Sequence, residues 1–190
     1  MANAKILAFA GSARRDSFNK KLVKVAARGA EQAGAEVTVI DLADYPLPIY
    51  DGDLEEQGFP ENVGKLRELF KAHQGLLLAC PEYNSSITPL LKNTIDWVSR
   101  PEGDDPGLVA FQGKTAALLA ASPGGLGGLR GLVSVRSILG NIGVVVLPKQ
   151  HALSKAHEAF SGEELSDDGQ RGAVEGIGAE LANFLQRVGG

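Results

Sequence analysis

Three short, uninterrupted apolar runs constrain the fold most: Lys5–Ala10 (KILAFA), Gly75–Cys80 (GLLLAC) and Thr115–Ala121 (TAALLAA). Each is too short for an ordinary buried helix. None alternates apolar with polar, as a strand with one wet face would. They read as strands covered on both sides. Glu36–Asp41 (EVTVID) and Val144–Leu147 supply two more strands. Amphipathic stretches lie between them. Phe18–Ala33 carries Leu22, Val23, Ala26, Ala27 and Ala30 at helical spacing and stops at Gly34. Pro60 opens a second helix, with Val63, Leu66, Leu69 and Phe70 on one face. Pro89 opens a third, and Leu129–Leu139 and Gln170–Val188 read as the fourth and fifth. Five strands alternating with five helices predict an α/β fold, a doubly wound five-stranded parallel sheet with helices on both faces. Right-handed crossovers leave few topologies. The 190 residues, 44% of them hydrophobic, suffice for a single domain spanning 1–190.

Ligands of such sheets sit outside the carboxyl ends of the strands, where the strand order reverses. In the order 2-1-3-4-5 that point lies between strands one and three. The loops leaving those strands are Gly11–Asn19 and Pro81–Ser86, and Ser122–Gly128 leaves the fourth strand at the same rim. In the first loop, Ser12, Arg14, Ser17 and Asn19 bring hydrogen-bond donors to the N-terminus of a helix opening at Phe18. The first amides of that helix lack intrahelical partners, which makes an anion site. A terminal phosphate monoester suits that inventory. Gly11 is alone, so the glycine spacing of a dinucleotide site is missing. A blander reading stands beside it: Ser17 as a simple N-cap and Asp16 as a first-turn charge. In the second loop, Pro81, Glu82, Tyr83, Asn84 and Ser85 combine a stiff start with an aromatic face, an amide and backbone groups. A planar heterocycle such as isoalloxazine needs that combination, although Tyr83 packing on a neighbouring subunit and Glu82 in a salt bridge would explain those two side chains as well. The third loop has four glycines among seven residues. Ser122, Gly124 and Gly125 let backbone approach a ligand closely, or else the loop is simply a mobile connection.

Other candidate residues point to no separate chemistry. Cys80 reads as a buried structural thiol, and one cysteine makes no internal disulfide. His73, His151 and His157 lack metal-ligand spacing, so no metal is expected. Asp41 is either a ribose contact or an ordinary cap. No serine stands in a nucleophile elbow. A net charge of −4 argues against nucleic acid or an anionic membrane as partner. No apolar run approaches the roughly twenty residues of a membrane span, and Met1–Lys5 lacks a signal-peptide pattern. A cytoplasmic location is expected. The Leu42–Gly58 excursion, with Tyr45, Tyr50 and nearby Phe59, predicts aromatic surface covered by self-association.

The paired motifs Gly11-Ser12-x-Arg14-x-x-Ser17-x-Asn19 and Pro81-Glu82-Tyr83-Asn84-x-Ser86 resemble the NADPH-dependent FMN reductase family, which includes chromate-, quinone- and azo-reducing members. The resemblance covers essentially the whole chain. It implies a flavodoxin-like fold with non-covalent FMN, its phosphate on the first loop and Pro81–Asn84 along the ring. It further implies NAD(P)H as reductant and a homodimer or homotetramer. No side chain is expected to serve as catalytic acid or base, because the flavin carries the hydride chemistry. Two rivals remain: a flavodoxin-type electron carrier, and a flavin-binding regulator with negligible turnover.

Overall fold

The computed structural model describes residues 3–189. In chain order the elements begin with β1 (Lys5–Ala10), α1 (Phe18–Gln32) and β2 (Glu36–Val39), then α2 (Gly52–Gln57), α3 (Glu61–Ala72) and β3 (Gly75–Ala79). A small hairpin follows, β4 (Glu82–Tyr83) and β5 (Ser86–Ile87), before α4 (Pro89–Val98), β6 (Thr115–Ala121) and α5 (Leu129–Asn141). The chain closes through β7 (Val145–Leu153), α6 (Ala156–Ala159), a second small hairpin, β8 (Phe160–Ser161) and β9 (Glu164–Leu165), and α7 (Asp168–Val188). The main sheet has the order β2-β1-β3-β6-β7 with every pairing parallel. Numbered among themselves, its five strands run 2-1-3-4-5, as expected for the flavodoxin-like fold.

The apolar runs are continuous because alternate residues feed two cores. Ile6, Ala8, Leu77, Ala79, Ala117 and Leu119 face α1 and α7. Leu7, Phe9, Leu76, Leu78, Ala116 and Leu118 face the side of α3, α4 and α5. On the first side α1 and α7 touch backbone to backbone. A Cβ at Gly29 would land on the Glu175 carbonyl, and one at Gly178 on the Ala26 carbonyl.

The last strand departs from expectation. The apolar run predicts Val144–Leu147, yet β7 extends to Leu153. Pro148 has no amide hydrogen to donate, and the register jumps from Ala116↔Val146 to Leu118↔Gln150 across a bulge. The Arg136 guanidinium fills the gap by donating to the carbonyls of Val146, Leu147 and Pro148 at 2.9–3.4 Å. The strand then resumes.

The Leu42–Gly58 excursion also differs from a partner-facing aromatic surface. Tyr50 and Phe59 pack edge-on against Trp97 of α4, with ring centroids 5.1 and 5.9 Å away. Tyr45 packs against the α3/α4/α5 core. The Trp97 indole donates to the Pro48 carbonyl at 2.8 Å, and the Asn93 side chain binds the same carbonyl and the Tyr50 amide. The three aromatic residues are thus half-buried against the chain's own core. Asp41 lies beyond β2, caps the turn at Leu42–Asp44 through Ala43 and pairs with Lys20 at 2.6 Å. This is the ordinary cap that the sequence allows.

Candidate active site

Three loops leave β1, β3 and β6 on one rim, and side chains tie each to the next. The Gly11 amide donates to the Ala79 carbonyl at 2.9 Å. The Thr88 hydroxyl caps α4 through Leu91 and donates to the Gly11 carbonyl at 2.8 Å. A Cβ at Gly11 would press on the Leu91 side chain at 2.9 Å, so only glycine lets α4 sit this close to the first loop. Asn19 bridges the first loop to the end of β6. Its amide donates to the Ala121 carbonyl and accepts from the Ala121 N–H, both at 2.9 Å. Glu82 ties the second loop to the helix after the third. Its carboxylate accepts from Arg130 at 2.6 Å and from the Gly131 amide at 3.2 Å.

These ties divide the expected site residues into scaffold and ligand-facing groups. Asn19 spends its side chain on Ala121, and Phe18 stacks its ring on Phe160 at 6.1 Å. Only their backbone amides, in the first turn of α1, remain for an anion. Ser17 stands at the N-cap, but its hydroxyl makes no capping bond, and α1 has no acidic residue in its first turn. The positive end of α1 is therefore left without a carboxylate in that turn. Ser12 accepts from the Arg14 amide at 3.3 Å, which shapes the loop, while Arg14 itself is exposed. Together Ser12, Arg14, Ser17 and the opening amides of α1 make a concentrated set of donors.

The second loop is a hairpin that turns at Asn84 and Ser85, with φ of 51° and 67°. Two successive left-handed residues are what a tight primed turn requires. Glu82 and Asn84 line a cavity of about 440 Å³ together with Ser122, Gly124–Gly128 and Arg130. Tyr83 and Ser85 are exposed and do not line it. In the third loop the glycines have two different tasks. Gly127 and Gly128 have φ of 61° and 91°, and a Cβ on Gly127 would strike the backbone of Ala152 and Leu153. They pin the loop. Gly124 and Gly125 open onto the cavity, and a Cβ at Gly125 would meet no protein atom within 4 Å. That bare backbone leaves a slot whose size falls within the range of small-molecule sites.

Burial by itself would raise the Glu82 pKa, but the hydrogen bonds from Arg130 and Gly131 outweigh it and hold the carboxyl below its usual range. Burial pushes the Cys80 thiol well up, which leaves it inert at neutral pH. A second concavity, about 520 Å³, flanks Ser17 and Arg15 on the β2 side. Its lysines are engaged internally: Lys20 with Asp41, and Lys21 and Lys24 with Glu163 at 3.4 Å. Among the described residues no group of three or more His, Cys, Asp or Glu could hold a metal, and no helix is long and apolar enough to cross a membrane. Sequence reasoning missed Thr88 and Arg130. Thr88 had a signal, since a threonine directly before the Pro89 helix start is an N-cap pattern. Arg130, placed by a contact with a distant loop, had none.

A cluster of hydrogen-bond donors on the first loop and a glycine-lined slot on the same rim suit a flavin mononucleotide. The profile of the family described as NADPH-dependent FMN reductase matches residues 4–158. The chain belongs to that family. Over 188 residues it is 35% identical to an NAD(P)H-dependent FMN reductase of Pseudomonas aeruginosa, covering 98% of this chain and 97% of that one. It is 32% identical over 189 residues to a quinone reductase of Escherichia coli strain K12, covering 96% of each. Among solved structures it resembles a flavoenzyme NAD(P)H:(acceptor) oxidoreductase from Paracoccus denitrificans. That match has a TM-score of 0.79 and 28% identity, and covers 97% of this chain and 98% of the other.

This member of the FMN reductase family is an oxidoreductase with FMN as cofactor and NAD(P)H as reductant. When bound, FMN supplies the hydride-accepting chemistry, and the chain supplies position and electrostatics. Thr88, Asn19 and Glu82 hold the three loops in mutual register, and Gly124 and Gly125 keep the slot clear. No proton donor is needed from the protein for hydride transfer itself.

Proposed function

We propose that the chain passes hydride from NAD(P)H, by way of FMN, to a small acceptor such as a quinone, free flavin, chromate or azo compound, in alternating half-reactions. The FMN phosphate lies on Ser12, Arg14, Ser17 and the first amides of α1. The ring lies in the slot between the β4–β5 hairpin and Ser122–Gly128. The observation that carries this reading is the slot itself: one cavity of about 440 Å³, walled by the hairpin on one side and the glycine loop on the other. Nicotinamide and acceptor must each come within about 3–3.5 Å of the reacting ring. Two planar molecules do not fit on one face together, so they enter in turn.

Initial rates over a grid of NAD(P)H and a small quinone test this. Parallel double-reciprocal lines, with no partner protein added, are expected. Intersecting lines would remove the shared slot, and absence of turnover would favour an electron carrier or a flavin-binding regulator.

The active form is a homodimer or homotetramer in the cytoplasm. Supporting self-association is apolar surface beside the slot: Tyr83, Leu126, Leu129 and Val133 are all exposed, the last two one turn apart on α5. Sedimentation of the FMN-loaded protein at micromolar concentration should give at least a dimer, and Val133→Lys should shift it toward monomer. A wild-type monomer would contradict this.

A further inference from the structure

Two charged side chains line the slot, Glu82 and Arg130, and they are bonded to each other. Their settings are unequal. The Glu82 side chain is 8% exposed, and Arg130 is 57% exposed. Glu82 also serves a helix that cannot cap itself. The N-cap of α5 is Gly128, which has no side chain, and the first turn of α5 contains no acidic residue. The Gly131 amide, one of the unpaired donors of that turn, finds its acceptor in Glu82 from the other side of the slot. Three charges therefore meet at one wall: the positive end of α5, the Arg130 guanidinium and the Glu82 carboxylate. The remaining lining consists of Asn84, Ser122, Leu126 and glycines, none of which carries charge.

The consequence follows from flavin chemistry, and it rests on the FMN reading of the slot given above. The oxidised ring is neutral, while the reduced ring gains negative charge on its pyrimidine side. A fixed cation or helix N-terminus beside the ring favours the reduced form, and a carboxylate opposes it. Both Glu82 oxygens accept, one from Arg130 and one from the Gly131 amide; a glutamine keeps the shape and one of the two acceptors but not the charge. Its charge offsets Arg130 and α5. We propose that Glu82 is a positioning residue that sets the reduction potential of bound FMN, by holding Arg130 and the α5 N-terminus at the slot and cancelling most of their positive charge. Its removal leaves that charge uncompensated.

The test is an equilibrium redox titration of FMN bound to wild type, Glu82→Gln, Arg130→Gln and the double variant, alongside FMN dissociation constants for each. Glu82→Gln should favour reduced over oxidised FMN by about tenfold, a rise of about 30 mV for a two-electron couple. Arg130→Gln should shift the potential the other way by a similar factor. The double variant should return close to wild type, because the two charges act on each other. If both single variants weaken FMN but leave the potential unmoved, Glu82 merely braces α5 and the proposal is overturned. If Glu82→Gln does not fold, Arg130→Gln decides alone: its side chain is largely in solvent, and a lower potential supports the proposal while an unchanged one defeats it. A wild-type apoprotein that binds no FMN would overturn the reading of the site itself. That outcome is distinct from bound FMN with unmoved potentials.

Discussion

Glycines gather in two regions of this molecule and do opposite things. Between α1 and α7, Gly29 and Gly178 are filled in from outside: a Cβ at either would coincide with a carbonyl of the facing helix. At the start of the third loop, Gly124 and Gly125 face outward, and a Cβ at Gly125 would touch nothing. One set is small so that protein can approach protein. The other is small so that something else can approach. Composition and local sequence do not separate the two cases; the atoms around each glycine do. The closed region holds the sheet's first face together, and the open one lies on the ligand rim.

Substitutions should therefore split into losses of stability and losses of cofactor. We predict the largest effect for Gly178→Val. The side chain has nowhere to go against Ala26, so overpacking should cost on the order of 3 kcal/mol or more. In the apoprotein that lowers the melting temperature by roughly 6–12 °C. An unchanged melting temperature would mean the helices do not meet as described. Asn19→Ala comes next. It strands the Ala121 N–H and carbonyl at a buried junction, costing roughly 1–3 kcal/mol. Because the junction joins the first and third loops, FMN affinity should fall with stability, and normal affinity would break the claim that the rim is cross-tied. Gly125→Val should leave apoprotein stability within about 0.5 kcal/mol, as at an open surface position. It should weaken FMN and riboflavin alike by about tenfold. A variant that binds both normally would show that the slot holds no ring.

The smallest effect concerns pH and the closed face. His151 sits in register with Leu119, which faces α1 and α7, and its Nε2 is buried without a partner. Burial, and then the charge of Lys149, lower its pKa from the ordinary value. The unfolded chain takes up a proton near pH 6.5, and the folded chain does so only at lower pH. This contribution to stability is therefore complete above about pH 6.5 and is lost as pH falls from there through the folded pKa. Denaturant midpoints measured from pH 7.5 to 5.5 should fall less steeply in His151→Gln than in wild type. Equal slopes would show that the histidine is not sequestered.

The sheet was legible in the sequence because burial on both faces leaves a pattern that little else produces. Lys5–Ala10 and Thr115–Ala121 occur as read, Gly75–Cys80 ends one residue early at Ala79 and Glu36–Asp41 two residues early at Val39, and the strand order is the expected one. The last strand was read only to Leu147; it continues past Pro148 through a bulge whose carbonyls accept from Arg136 of the preceding helix. At the rim, the loops could be named but the duties of their side chains could not. Asn19 looks like a phosphate donor and instead braces Ala121, while the Phe18 ring belongs to Phe160. These are contacts across 102 and 142 positions of the chain, and no local periodicity encodes them. Glu82 makes the salt bridge, with Arg130, and also lines the slot.

The central claim is that one ligand spans both regions of the rim, phosphate on the first loop and ring in the slot. The ratio of FMN to riboflavin affinity tests it most directly, measured by titrating wild-type and Arg14→Ala apoprotein with each. A charge-assisted hydrogen bond to phosphate is worth roughly 1.5–3 kcal/mol. The account predicts that Arg14→Ala lowers FMN affinity by about tenfold or more and leaves riboflavin, which lacks the phosphate, nearly unchanged, so the ratio collapses. An unchanged ratio, with both ligands weakened equally or neither affected, would contradict it.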